Sequence, residues 1–248
     1  QVLAQLYLLI KKYNVRHVNF IDNEFGVNMN RAKEICRKII DSGLKFSWQV
    51  NNRVELFDKE LIDLLAEAGC TNVRLGIETC DPALQEYINK KIDLNLAKEN
   101  IRKIKASGIT VHLYFICGIP GETKNSLKKN AIFIASVEAD TISNAPLFLM
   151  PNSMLYNKFK KEGCILTYDW AEYKKPEKLV FLNDTYPDFE KITEAKRYMY
   201  KLAYKYIFLK HLKKGHLNTS SFLKYVNNTF SGMIIKKILP NYFIQKLK

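Results

Sequence analysis

Between residues 16 and 146 the chain repeats one pattern: a short apolar or β-branched run, a polar loop, then a helix-length run. The strand-like runs fall at 16–21, 46–51, 73–77, 110–117 and 140–146, with helical runs between them, about 30 residues per unit. Strands separated by helices pair in parallel through right-handed crossovers. Two architectures satisfy that rule, a doubly wound open sheet and a closed or partial (β/α) barrel. The Gly-x-Gly-x-x-Gly turn of dinucleotide-binding sheets does not follow the first strand run. Polar groups end four of the runs: Asp22, Asn23 and Glu24; residues 49–53; Glu78 and Thr79; and residues 118–123. In a barrel such groups converge on one mouth, beyond the carboxyl ends of the strands. The barrel is therefore the expected fold.

The clearest unit reads GITVHLYFICGIPGET, residues 108–123. Residues 110–117 predict a buried strand, Pro120 and Gly121 turn the chain, and Glu122 and Thr123 open a helix over 124–137. Such a turn lets the backbone approach a ligand, or it is only a tight βα connection. Elsewhere Asn28 or Asn30 caps a helix, Asp58 caps one that Gly69 stops, and Asn95 opens another to Ala106. Residues 1–12 read as a helix entered partway, and the absence of an initiator Met suggests a piece of a longer protein. After Pro151 the rhythm ends: a helix over 152–163, a loop-rich stretch, then a long helix from Pro187 through Leu212.

Composition narrows the function. With 248 residues and 47% hydrophobic content the chain can bury a sizeable core. It shows no run of about eighteen apolar residues, and its first residues lack the basic leader and cleavage site of a signal peptide. The five cysteines lie far apart, with no Cys-x-x-Cys. That pattern suits a reducing, cytoplasmic compartment and argues against a complete zinc or iron–sulfur site within the chain. No metal ligand is assigned. The charge is lopsided: residues 191–248 hold thirteen Lys or Arg against Glu194 alone, a surplus of 12 out of the chain's +14.

Four motifs occur together in order: FIDNEF at 20–25, NNR at 51–53, VRLGIET at 73–79 and FICGIPGET at 115–123. In this order and spacing the chain resembles the radical S-adenosylmethionine (radical SAM) superfamily. The nearest likeness is to the branch whose members often carry a cobalamin-binding domain. LFLMPNSMLY at 147–156 is similar to that branch's segment after the sixth strand. The resemblance implies an α/β fold, a partial (β/α)6 TIM-like barrel, with residues 1–156 supplying strands 2 to 6. Residues 157–186 would connect it to a basic, mostly helical extension over 187–248. It also implies S-adenosylmethionine and a [4Fe-4S] cluster as cofactors, with cobalamin a further candidate, and reductive cleavage of S-adenosylmethionine to a 5′-deoxyadenosyl radical. The family's Cys-x-x-x-Cys-x-x-Cys loop is not in this sequence. The expectation is that it lies upstream, with the first strand, and that this chain alone is inactive.

The resemblance also suggests binding residues. Asp22, Asn23 and Glu24 would face the methionine ammonium; otherwise they form a solvated, helix-capping loop. Gln49 and Arg53 follow the third strand, where a guanidinium forks onto a carboxylate; the plainer reading is a salt bridge from Arg53 to Glu55 or Glu60. Glu78 would accept from ribose hydroxyls, and Lys90 would meet the methionine carboxylate. Ile116 and Gly118 would lie against adenine, and Leu147 would offer backbone contacts to its edge. His17 and His112 read as structural.

The expected partners are a small-molecule or lipid-like substrate and an electron donor. The basic stretch 187–248 either caps the barrel with one apolar face, rests on an anionic membrane at the inner surface, or, third, contacts nucleic acid. The rival functions are a non-catalytic nucleoside-binding barrel, and an ordinary (β/α) enzyme using Glu78 or Glu122 as acid or base. The latter needs a carboxylate with a raised pKa, of which the sequence gives no sign.

Overall fold

The structure, a computed structural model, describes residues 1–173 and 178–213. Residues 214–248, and with them much of the expected basic tail, lie outside the described residues. Five parallel strands form one sheet: β1 (His17–Asn19), β2 (Ser47–Asn52), β3 (Cys70–Glu78), β4 (Thr110–Cys117) and β5 (Thr141–Pro146). Their spatial order is their chain order, β1-β2-β3-β4-β5. A doubly wound sheet reverses direction at a switch point. This one never does, so its crossover helices all fall on one face and the sheet curls into a half-barrel.

Those helices are α2 (Met29–Asp41), α3 (Lys59–Glu67), α5 (Leu94–Ala106) and α6 (Lys124–Val137), with α1 (Val2–Tyr7) before β1 and the short α4 (Pro82–Tyr87) after β3. Capping residues set most of their starts. Asn28 accepts from Arg31 N–H, Asp58 from Leu61 N–H, and Thr123 and Ser126 form a reciprocal capping box on α6. The α5 cap is Asp93, two residues before the expected Asn95, and its carboxylate takes two backbone N–H groups. After α1 the chain continues as a π-helical turn, Leu8–Lys12, and leaves it through Asn14 at φ +51°.

The strands have two unlike faces. On β4, Val111, Leu113, Phe115 and Cys117 are buried, while His112, Tyr114 and Ile116 are half-buried. The buried set packs with Ala32, Leu61, Ile101 and Ala131 of the helices into one core. Each fully buried Val, Leu, Ile or Phe among them contributes about 2 kcal/mol of transfer free energy. The expected buried strand is thus buried on its convex side, while its concave side is half-buried and largely polar. Trp48 anchors the β1–β2 end, stacked edge-on with Phe25, and its indole N–H donates to Ala68 O at 2.8 Å.

Past β5, α7 (Met154–Lys161), α8 (Trp170–Tyr173) and an antiparallel bridge between Ile165 and Phe181 enclose a second small core around Tyr156, Phe159 and Phe181. Then α9 (Phe189–Lys213) lies against α6 and sends Ile192, Ala195, Met199, Ala203 and Ile207 into the main core. Lys191, Arg197, Lys201 and Lys205 stay exposed on its other side. At its far end Lys210 pairs with Glu138 at 2.7 Å, beside the last turn of α6. The helix after β5 therefore belongs to the same layer as α2, α3, α5 and α6, although it starts beyond residue 187. Among the described residues no helix is long and apolar enough to cross a membrane.

Candidate functional site

Strand register builds the concave face in rungs. Asn51, Arg74, His112 and Thr141 are neighbours across β2, β3, β4 and β5. Below them lie Gln49, Asn72 and Thr110; above them lie Gly76, Tyr114 and Ser143. In a filled barrel bulky aliphatic side chains occupy these positions. Here they are mostly amides, hydroxyls, a guanidinium and an imidazole, so the interior is a polar floor.

At the rim of β3 the chain departs from regular geometry. Glu78 has φ +62°, and the β3–β4 register slips between Gly76 and Glu78. A left-handed backbone at a non-glycine residue costs about 1 kcal/mol or more. That kink lets the carboxylate meet Lys90 Nζ at 2.6 Å. Gly76 makes the space: a Cβ there would collide with Glu78 Oε1 and come within 2.9 Å of Lys90 Nζ. Both partners are largely buried, with side-chain exposures of 19% and 25%. Two residues expected to bind opposite ends of one ligand thus stand paired at the mouth.

The turn after β4 is clamped from a distance in sequence. Gly118 (φ +83°) donates its N–H to Glu122 Oε2 at 3.1 Å, and its carbonyl accepts from Asn183 Nδ2 at 2.6 Å. Tyr186 O–H donates to the same Glu122 oxygen at 2.5 Å, and Gly121 N–H donates to Thr185 Oγ1 at 2.7 Å. Burial pushes the Glu122 carboxyl up to about 7, against the two hydrogen bonds that favour its anion. Here is a carboxylate with a raised pKa, but it is 4% exposed beneath Tyr186. Sealed in this way it holds a turn and reaches no substrate.

The remaining expected residues fall as follows. Asp22 and Asn23 are exposed and Glu24 is half-buried. Asp22 lies 4.0 Å from Arg31, and its carbonyl accepts from Asn51 Nδ2 at 3.2 Å. Gln49 is half-buried on the floor. Arg53 reaches Glu55 at 3.6 Å, the plainer of its two expected roles. Ile116 is half-buried on the concave face, and Leu147 N–H donates to Cys117 O at 2.7 Å. The space beside Gly118 is taken by the chain itself, since a Cβ there would stand 3.2 Å from Ile192 Cδ1 of α9. Only Glu78 and Lys90 among these residues pair with one another. Among the described residues no hydrogen bond or ion pair links the β1 loop, the β3 rim and the β4 turn.

Arg74, His112 and Tyr114 were not expected here, yet they form the middle of the floor. Their signal was the alternation within VRLGIET and TVHLYFIC, where Arg74, Gly76 and Glu78, and Thr110, His112 and Tyr114, break the aliphatic run at every second position. The cysteines do not fit a cluster. Cys36, Cys70, Cys80 and Cys117 are buried in the apolar layer, and burial pushes the thiols of Cys36, Cys70 and Cys117 up to about 12. Iron needs thiolates gathered at one point, and the described residues hold no group of three potential metal ligands.

A family model described as the radical SAM superfamily matches residues 1–134. The chain is 27% identical over 173 residues to Uncharacterized methyltransferase PH0819 of Pyrococcus horikoshii, covering 70% of this chain and 38% of that protein. It is 28% identical over 175 residues to the anaerobic magnesium-protoporphyrin IX monomethyl ester cyclase of Rubrivivax gelatinosus, covering 70% and 31%. The radical S-adenosylmethionine methyltransferase TsrM from Kitasatospora setae superposes with a TM-score of 0.59 at 21% identity, over 65% of this chain and 32% of that one. That last likeness is one of fold. The chain spans about a third of the length of these relatives. With more than half of its length matched by the family model, the chain belongs to the radical SAM superfamily.

Proposed function

We propose that this chain is the S-adenosylmethionine-binding and substrate-enclosing part of a radical SAM enzyme, of the kind that methylates with cobalamin. The observation that carries the proposal is the Glu78–Lys90 pair, seated over Gly76 at the rim of a polar concave sheet. Glu78 accepts from the two ribose hydroxyls, and Lys90 turns to the methionine carboxylate, a charge-assisted contact. Asp22 and Glu24 stand toward the ammonium, while Ile116 flanks the adenine. The pairing of the two ions offsets part of their desolvation cost until the ligand replaces both contacts. Relatives named as methyltransferases support the reaction class.

Within the family, a reduced [4Fe-4S] cluster supplies the electron that cleaves S-adenosylmethionine. The described residues do not hold that cluster, so this chain alone is expected to bind S-adenosylmethionine without cleaving it. The test is calorimetric titration of S-adenosylmethionine into the full gene product, for wild type, Glu78→Gln and Lys90→Met. Each substitution should weaken binding about tenfold, as loss of one charge-assisted hydrogen bond does. Unchanged affinity in both variants would overturn the assignment of this rim. Release of 5′-deoxyadenosine by the anaerobically reconstituted gene product tests the reaction class. The exposed stripe of Arg197, Lys201 and Lys205 supports a further proposal, contact with anionic lipid.

A further inference from the structure

Arg74 stands half-buried on the concave face, and among the described residues no carboxylate lies within ion-pair distance of it. Its rung offers Asn51, His112 and Thr141, and the rungs on either side offer Gln49 and Tyr114; none is acidic. The nearest acid along β3, Glu78, is already paired with Lys90. His112 lies directly across from Arg74, and its ring packs edge-on against Tyr114 at 4.6 Å. Its Nδ1 lies 2.6 Å from Thr141 Oγ1, while its Nε2 is buried with no hydrogen-bond partner. A buried polar atom left unpaired costs about 1–3 kcal/mol, and an uncompensated guanidinium beside it makes the floor electropositive. Burial, and then the charge of Arg74, hold the His112 pKa below its ordinary value. In the tautomer that accepts from Thr141 O–H at Nδ1, the ring carries its proton at Nε2.

We infer that Arg74 and His112 form an anion subsite on the barrel floor, which receives a carboxylate or phosphoryl group of the substrate. The guanidinium forks onto two oxygens and His112 Nε2–H takes a third contact, with Tyr114 O–H at the edge. Naming the occupant a substrate rests on the function proposed above; the anion contact itself rests on the floor alone. The titratable groups facing His112 are Arg74 from β3 and Tyr114 from its own strand, while β5 presents Thr141. A bound anion offsets the charge of Arg74, so it should raise the His112 pKa.

The test titrates inorganic phosphate and, separately, succinate into the full chain at constant ionic strength, followed by His112 ring-proton shifts. Constant ionic strength matters because a chain of charge +14 collects anions at its surface. Wild type should saturate with at least one probe, and which probe does so tells a phosphoryl from a carboxylate occupant. Arg74→Gln should weaken that binding about tenfold or more, Arg74→Lys should weaken it less, and the His112 pKa should rise on saturation in wild type and in Arg74→Lys. Circular dichroism checks that each variant folds, and Arg74→Lys carries the comparison if Arg74→Gln does not. No saturation in wild type, or equal affinity in the Arg74 variants, would overturn the subsite. Failure here with S-adenosylmethionine binding still lost in Glu78→Gln sinks only the subsite; the reverse pattern sinks only the function proposed for the rim.

Discussion

Glu122 is where the fold gives up stability, and Glu122→Gln should recover it in a pH-dependent way. The carboxyl is buried, pushed from 4.5 up to about 7, with one oxygen shared by Gly118 N–H and Tyr186 O–H and the other unpartnered. Because the folded pKa lies above the unfolded one, the native state binds more protons between those values. Stability from this group is then greatest below pH 4.5 and is lost as pH rises through 7. At about 1.4 kcal/mol per pH unit the complete loss is about 3 kcal/mol, of which about 2.5 falls between pH 5 and pH 8.5. Glutamine keeps an acceptor for both donors and does not titrate. Urea unfolding of wild type and Glu122→Gln at the two pH values, read by far-UV circular dichroism, isolates the term. The stability difference between the proteins should change by about 2.5 kcal/mol in favour of the variant at pH 8.5. Parallel pH profiles would refute the reasoning, since they would mean that the carboxyl has the same pKa folded and unfolded.

Gly76→Ala should leave the fold intact yet separate Glu78 from Lys90, because the new methyl occupies the space of both charged ends. S-adenosylmethionine affinity should fall about tenfold, checked by calorimetry beside a circular dichroism spectrum. Deleting residues 187–248 should unfold the chain, since it strips Ile192, Met199 and Ala203 out of the main core; a cooperative melt in the truncated chain would refute this. The lipid proposal is better tested with Arg197, Lys201 and Lys205 all changed to Glu, which leaves that core untouched. Sedimentation with phosphatidylserine vesicles should then fall, and equal pelleting would end the proposal.

What the sequence disclosed, and what it hid, follows from how far apart the interacting residues lie. β4 and α6 have the expected bounds because glycines with positive φ flank the strand, Gly108 and Gly118, and a capping box starts the helix. All of that information is local. β3 runs from Cys70, three residues ahead of its apolar core, because pairing with β2 and β4 supplies what propensity does not. The long helix at the end was legible as a helix, and a cap with one apolar face against the barrel was one of three readings of its charge. Its buried residues recur every three or four positions, a pattern that states a buried face without naming what covers it. Glu122 shows the limit most sharply. The desolvation that raises its pKa comes with Tyr186, 64 positions onward, so nothing near Glu122 could announce it. The same separation explains the candidate site. Glu78 and Lys90 were expected one by one from their motifs, and the pair exists only because a kink at Glu78 and a bare Gly76 fold the rim back on itself. The floor was overlooked for the opposite reason. Arg74 and His112 are each ordinary in their own strands, and become a site only when parallel register sets a guanidinium beside an imidazole with nothing acidic between them.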